Sequence, residues 1–381
     1  MKPSWAARAI LLLNTFVLVA IGEAQQPGAA WGTQQPTNSP EESASPETES
    51  RVGIDLTRQG KFGEAIPHFL AARGHVSDSY AVEFNLALCY LGTGEFSTAI
   101  SVLKPLSANH NNAAVQNLLA QAYIGHNQPQ DALAALRRAA ALTPDDEKLY
   151  AFVADACADH EQYSLGVEVI GLGLQHLPNS ARLHFQRGQF LSQLDQQEAA
   201  FAEFDTASLL APASGIGYLA VAQKNFLQGS LKEAIRVARE AQSKGRENFL
   251  VLGLLGEALI RTGALPGQPD FAEAKSALEK SVAEKPNYAI ARISLAYCLL
   301  QENRLDNAIE QLEIARALNP RNPAVYSRLA IAYRRQGRMA EADAATAALA
   351  RLNAEEAARI NSAPGETKAI PGAIRQANPG P

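Results

Sequence analysis

The sequence predicts an all-α protein in which one helical hairpin repeats along the chain to form a solenoid. The unit is clearest over residues 289–322, where two apolar runs precede Asn319-Pro320. Apolar side chains of the second run recur at the spacing of one helical face: Leu305, Ala308, Ile309, Leu312 and Ala315. Because a proline disfavours the helical conformation of the residue before it, each hairpin is expected to end at such a position.

The closing proline recurs at a fixed interval. Pro144, Pro178 and Pro212 lie 34 residues apart, and so do Pro286 and Pro320. The wider interval between Pro212 and Pro286 fits two units, one without its proline and one with six extra residues. Since a single hairpin cannot bury both of its faces, the repetition predicts a stack of about nine units.

Small residues recur at two positions of the unit, where two helix backbones are expected to approach closely. Position 20 is alanine in eight units and Gly166 in the remaining one. Position 8 is small in all nine units: Gly53, Ala87, Ala120, Ala154, Gly188, Ala222, Gly256, Ala296 and Ala330. Position 24 is large in most units, as in Phe69, Phe204 and Leu312.

With tyrosine at position 11 (Tyr90, Tyr123) and glycine at position 15 (Gly60, Gly94), this pattern resembles the tetratricopeptide repeat family. The resemblance implies a right-handed superhelical solenoid of about nine helix-turn-helix repeats over residues 46–356. Position 4, often tryptophan in that family, is tyrosine or an unrelated residue here. A six-residue insertion near residues 264–269 separates the two helices of the seventh unit, and its two prolines and glycine predict a loop.

The segments outside the repeats predict export. Residues 1–24 combine an early Lys2 and Arg8, a short apolar stretch and a small-residue cleavage site, which is typical of a signal peptide. Residues 25–45 form a Gln-, Pro-, Ser- and Glu-rich linker predicted to be disordered, and residues 357–381 hold the end of a capping helix and a disordered tail. The mature chain is therefore expected to be periplasmic or secreted, without an integral membrane span. The alternative is an uncleaved N-terminal segment that anchors the chain in a membrane.

Residues for catalysis, cofactors or metals are not recognised. Net charge is -5 and pI about 5.9, which argues against nucleic acid as a partner. Cys89, Cys157 and Cys298 lie in different units at positions that otherwise hold small core residues, and the histidines lack metal-ligand spacing. The G-x-G-x-x-A match beginning at Gly215 follows no strand and falls in register as a repeat helix. The acidic residues of unit four, including Asp155 and Glu161, are interpreted as a solvated face. We expect no enzyme activity.

The resemblance implies a concave groove lined by positions 2, 5, 6, 9, 12 and 13 of the first helices, where peptides or proteins bind. The candidate groove residues are amides, aromatic residues and arginines: Phe84, Asn85, Asn117, Gln121, Phe185, Gln189, Gln223, Phe226, Tyr297, Arg328, Arg334 and Arg335. Amides can pair with the backbone of an extended peptide, and arginines can hold a carboxylate. The family's arrangement that clamps chaperone carboxylate tails is not reproduced.

The function predicted from these observations is that of a non-enzymatic interaction scaffold that is exported and is expected to serve envelope assembly or secretion. The alternative is an accessory or regulatory component of a carbohydrate-processing or polysaccharide-export system, because related repeat arrays precede glycosyltransferase domains. The sequence names neither the partner nor the oligomeric state.

Overall fold

The computed structural model describes residues 45–110 and 112–362, and this part of the chain forms eighteen α-helices. In chain order they are α1 Pro46–Arg58, α2 Phe62–Ala72, α3 Ser79–Thr93, α4 Phe96–Asn109, α5 Ala113–Gly125, α6 Pro129–Leu142, α7 Glu147–Asp159, α8 Tyr163–His176, α9 Ala181–Gln193, α10 Gln197–Leu210, α11 Gly215–Leu227, α12 Leu231–Ser243, α13 Phe249–Arg261, α14 Pro269–Glu284, α15 Ala289–Gln301, α16 Leu305–Leu318, α17 Pro323–Arg335 and α18 Met339–Ser362. No strand occurs among these residues, which confirms the all-α prediction. The predicted signal peptide, most of the linker and the tail after residue 362 lie outside the described residues.

The helices pair into nine hairpins, repeats one to nine, in which each odd-numbered helix precedes an even-numbered one. Each helix packs on the next along the chain. The first helices of neighbouring repeats also contact one another throughout, whereas α6 and α8 are the only second helices with comparable contacts. First helices therefore form the tighter, inner layer of a curved stack, and its inner surface is concave.

The turn inside each hairpin forces one residue into the left-handed region of backbone conformation. This residue is position 15, and its φ is positive in all nine repeats. Five of these residues are glycine, while Asn127, Glu161, Asp195 and Asn303 occupy the position in the others, with φ between 56° and 60°. Asparagine and aspartate tolerate this conformation, but Glu161 adopts it at a cost.

The small residue at position 8 packs directly on the large residue at position 24 of the same repeat. A Cβ placed on Gly53 would lie 2.9 Å from the Phe69 ring, and one on Gly188 would lie 2.7 Å from Phe204 Cε1. The small residues at position 8 and the large residues at position 24 thus form one contact. Repeats with phenylalanine at position 24 have glycine at position 8, because the ring takes the space of a methyl group.

First helices are capped by the residue that immediately precedes them. Its side chain accepts a hydrogen bond from a backbone N–H in eight of the nine, and Tyr288 before α15 is the exception. Asp146, for example, accepts from the N–H of Lys148 at 3.0 Å.

The side chain at position 4 binds the carbonyl of the preceding proline in several repeats, although the residue there varies. Tyr150 donates to the carbonyl of Pro144 at 2.9 Å, and Tyr326 donates to that of Pro320 at 2.7 Å. Arg292 reaches the carbonyl of Pro286 through Nε at 2.6 Å. The closing prolines therefore stop one helix and present a carbonyl that the next repeat binds.

The insertion forms a short loop between α13 and α14. The backbone N–H of Leu265 donates to Gln268 Oε1 at 2.8 Å, while the Ala264 side chain is buried. Pro269 lies at the start of α14 rather than in the loop, a place where its missing N–H removes no helical hydrogen bond.

Candidate functional site

The inner surface forms a cavity of about 590 Å³, partly open to solvent, between repeat four and repeat nine. This volume lies within the range of about 300–1,000 Å³ that is typical of ligand sites. Helices α7, α9, α11 and α13 supply most of its wall, and the junctions before α15 and α17 close it from the other side. Side chains from six repeats therefore meet around one space.

Four of the candidate groove residues from repeats five and six line this cavity. They are Phe185 and Gln189 on α9, and Gln223 and Phe226 on α11. Gln193, one turn beyond Gln189, lines it as well. The ring centroids of Phe185 and Phe204 are 5.5 Å apart, so the aromatic wall is packed into the core behind it. This wall presents amide groups beside apolar rings, although its role in binding stays a prediction.

The candidates from repeats two and three lie outside the cavity, and their side chains make contacts within the solenoid. Asn117 is only 2 % exposed, and its Nδ2 donates to the carbonyl of Leu149 at 2.9 Å. Its Oδ1 accepts from Gln121 Nε2. Asn85 bonds the carbonyl of Ala81 in its own helix, and Phe84 is nearly buried. The prediction that Asn117 faces a bound peptide is wrong, since this amide joins repeat three to repeat four.

The candidates from repeats eight and nine lie outside the cavity and make separate contacts. Arg335 donates through Nη1 to the carbonyl of Leu300 and through Nη2 to Asn303 Oδ1, both at 2.8 Å. Arg328 lies over the ring of Tyr297, 5.8 Å from its centroid. Arg334 is exposed. Arg335 thus fixes the turn of the preceding repeat, and the three arginines point to different surroundings.

Two carboxylates that the sequence interpretation did not assign to the groove, Asp155 and Glu257, line the cavity. Burial raises the pKa of Asp155 to about 7, against the opposing charges of Arg182 and Lys285. Burial also raises the pKa of Glu257, although Arg261 and Arg328 act in the other direction. Both residues occupy position 9, as Gln189 and Gln223 do, so the same lining rule could have found them. Asp155, which the sequence interpretation placed on a solvated face, is half-buried in the cavity wall.

A cross-groove contact closes the cavity at one edge. Arg321, at the junction before α17, lies with Nε 3.6 Å from Glu161 Oε2 in the turn of repeat four. Its Nη2 lies 3.3 Å from Glu355 Oε2 on α18. Lys285, at the end of α14, is close enough to Asp155 and Asp159 for their charges to oppose the lowering of its pKa by burial. Repeat four therefore faces the repeat-seven and repeat-eight ends across the groove.

Among the described residues, no group of histidine, cysteine and acidic side chains could hold a metal ion. The three cysteines are buried free thiols, and burial raises the pKa of each to about 12. A thiol so far from ionisation is a poor nucleophile at neutral pH. Within residues 45–110 and 112–362, no helix is long and apolar enough to span a membrane.

A stack of helical hairpins with an enclosed concave cavity defines a helical-repeat protein of the solenoid class. One family model, described as tetratricopeptide repeat, matches residues 56–122 and 267–317. A second model with the same description matches residues 303–357. The chain belongs to the tetratricopeptide repeat family. Proteins of this family bind protein or peptide partners, and the family is generally non-enzymatic.

Solved structures of the same family resemble this fold at low sequence identity. Yeast Tom70 aligns with a TM-score of 0.53 and 15 % identity, over 95 % of this chain and 73 % of its own. A tetratricopeptide repeat protein from Parabacteroides merdae aligns with a TM-score of 0.45 and 15 % identity, over 67 % and 99 %. YrrB, described as having an unusual peptide-binding site, aligns at 0.35 and 19 %, over 51 % and 97 %. No curated protein matches the chain significantly in sequence.

Proposed function

We propose that this protein is an exported, non-enzymatic scaffold that binds a peptide or protein partner in the cavity between repeats four and nine. The observation that carries the proposal is that Phe185, Gln189, Gln223 and Phe226 line one concave space of about 590 Å³. The expected role is in envelope assembly or secretion, where an exported scaffold meets its partners.

The wall chemistry favours an extended peptide segment as the bound part of the partner. Primary amides of Gln189, Gln193 and Gln223 can each donate to and accept from a peptide backbone without selecting a side chain. The rings of Phe185 and Phe226 are largely buried and form the apolar part of the wall beside them. A segment that threads this space would exchange backbone hydrogen bonds with water for bonds with the amides.

Export is part of the proposal and rests on residues 1–24 alone. The expected mature chain starts near Gln25 and is recovered outside the cytoplasm. N-terminal sequencing of the purified native protein tests this, because a chain that begins at Met1 in the cytoplasm would contradict it.

The binding role is tested by crosslinking in cells that express the tagged full chain, followed by mass spectrometry. Gln189→Arg combined with Gln223→Arg adds bulk and charge within the cavity. Gln130→Arg combined with Gln196→Arg places the same change on exposed positions outside it. We expect the first pair to lose the partner and the second to retain it. Retention by both pairs would contradict binding in the cavity.

A further inference from the structure

The charged side chains that line the cavity are unequal in number. Three are acidic, Asp155, Glu161 and Glu257, and one is basic, Arg321. Arg321 forms ion pairs with Glu161 and Glu355. The two remaining carboxylates, one on α7 and one on α13, therefore face the space without a cation of the cavity wall to balance them.

Cations outside the wall act on these carboxylates through their charges but form no ion pair with them among the described residues. The ion pairs formed by the described residues include neither Asp155 nor Glu257. Asp155 accepts one hydrogen bond, from Gln186 Nε2 at 3.1 Å, which is a neutral donor. Arg328 lies over Tyr297, and Lys285 lies 5.6 Å from the ring centroid of Phe249. Lys285 and Arg328 are thus held against aromatic rings, and Arg182 acts on Asp155 through its charge without forming an ion pair with it.

Burial without an ion pair disfavours the charged form of both carboxylates, which agrees with the raised pKa of each. A group in this condition gains most from a new cation placed beside it, because water screens the attraction weakly there. Perturbed acids in a cleft are also a recognised mark of binding sites.

The rings of the wall suit the same kind of ligand. Phe226 already carries the guanidinium of Arg261 on its face, 4.6 Å from the ring centroid. Phe185 and Tyr288 also line the space. Aromatic faces attract cations, and the effect is larger where water is excluded. Carboxylates and rings in one enclosed space favour a cation on an apolar stem over an anion.

We propose that the cavity binds a lysine or arginine side chain of the partner peptide, with its cationic head in the space that Asp155 and Glu257 line. This inference rests on the proposed function and names the chemistry that the groove selects. The amides of Gln189 and Gln223 hold the peptide backbone, while the two carboxylates and the rings select the basic side chain. The partner segment is accordingly basic at one defined residue.

The test is a selection of binders from a random peptide display library by the full chain. Asp155→Asn with Glu257→Gln removes both charges while keeping their shape. Asp343→Asn with Glu279→Gln makes the same chemical change on exposed positions outside the cavity. We expect the unaltered chain and the control to select peptides with one conserved lysine or arginine. The cavity variant should lose this preference and bind a selected basic peptide about tenfold to a hundredfold more weakly.

The outcomes separate this inference from the proposed function. Peptides selected without a basic preference, or a preference that the cavity variant keeps unchanged, would overturn the cation site and leave groove binding intact. Selection of acidic peptides would do the same. If no version of the chain selects any peptide, groove binding of peptides fails and the cation site fails with it. Circular dichroism of each variant checks that the helices are retained.

Discussion

Arg321 and Glu161 form an ion pair across the groove, with Arg321 Nε 3.6 Å from Glu161 Oε2, although one residue ends repeat eight and the other lies in repeat four. No local pairing rule joins such distant residues. Their approach results from the curvature that each repeat adds to the stack. The same curvature encloses the space lined by Asp155, Gln189, Gln223 and Glu257.

The closure predicts that positions 161 and 321 can be crosslinked within one chain. Glu161→Cys with Arg321→Cys, treated with a short bismaleimide, should give an internal crosslink that changes migration on a denaturing gel. The native thiols should stay unreactive because they are buried and burial raises the pKa of each to about 12. Glu161→Cys with Lys232→Cys is the control, since exposed Lys232 lies on a second helix. Equal crosslinking of both pairs, or none in the first, would argue against a closed groove.

The turn conformation predicts opposite effects for one chemical change at two glycines. Gly229 has φ +76° with open space around its Cα, so Gly229→Ala should destabilise the fold by about 1–2 kcal/mol through backbone strain alone. Gly171 lies inside helix α8 with equal space, so Gly171→Ala should stabilise it by about 0.5–1 kcal/mol. Urea unfolding of both variants measures the difference. Shifts of the same sign would contradict the assigned conformations.

The contact between positions 8 and 24 predicts coupling between Gly188 and Phe204. Gly188→Ala should cost about 1–3 kcal/mol, because the added methyl would meet Phe204 Cε1 at 2.7 Å and the carbonyl of Ala200 at 3.1 Å. Phe204→Leu should recover part of this loss when both changes are combined. A double-mutant cycle from unfolding curves measures the coupling. Strictly additive effects would show that the two side chains do not compete for space.

The buried carboxylate of Asp155 predicts a pH-dependent stability. Its pKa is about 7 in the folded chain against 3.8 for an ordinary aspartate. Between these values the folded chain retains a proton that the unfolded chain has released, so this residue makes stability fall as pH rises from about 4 to about 7. Arg182, Lys285, Asp159 and Gln186 act on the same carboxyl.

Asp155→Asn removes that penalty. The variant should be more stable than the unaltered chain by about 1–3 kcal/mol at pH 8 and nearly equal to it at pH 4. Unfolding free energies at the two pH values measure this, with Asp343→Asn as the exposed control. A gain of the same size at both pH values would place the effect in packing instead of ionisation.

The repeats could be predicted from sequence because their constraints act within one repeat or between neighbours. Pro144, Ala308 and Gly94 each report a local requirement, such as a helix end, a close helix contact or a left-handed turn. Such requirements recur about every 34 residues, so they can be recognised by comparing the units with one another. Gln189 and Gln223 were found in the same way, from their position in the unit.

The closed site could not be predicted in this way. Whether Asp155 faces bulk water or an enclosed cavity depends on where repeats seven to nine lie, four or more units further along the chain. Small rotations between repeats add up over that distance, and no spacing in the sequence records their sum. The position-4 residue Arg292 illustrates a smaller difficulty, because arginine and tyrosine share a role there only through the carbonyl that both bind.

The most direct test of the account is a photocrosslinking amino acid placed at Gln189 in the cavity wall or at Gln130 outside it, in the full chain within its native cells. Irradiation is expected to join a partner peptide to the first position and not to the second, and excess purified Gln189→Arg, Gln223→Arg variant should not compete. Adducts of equal yield at both positions, or adducts at Gln130 alone, would contradict a partner-binding role for the cavity.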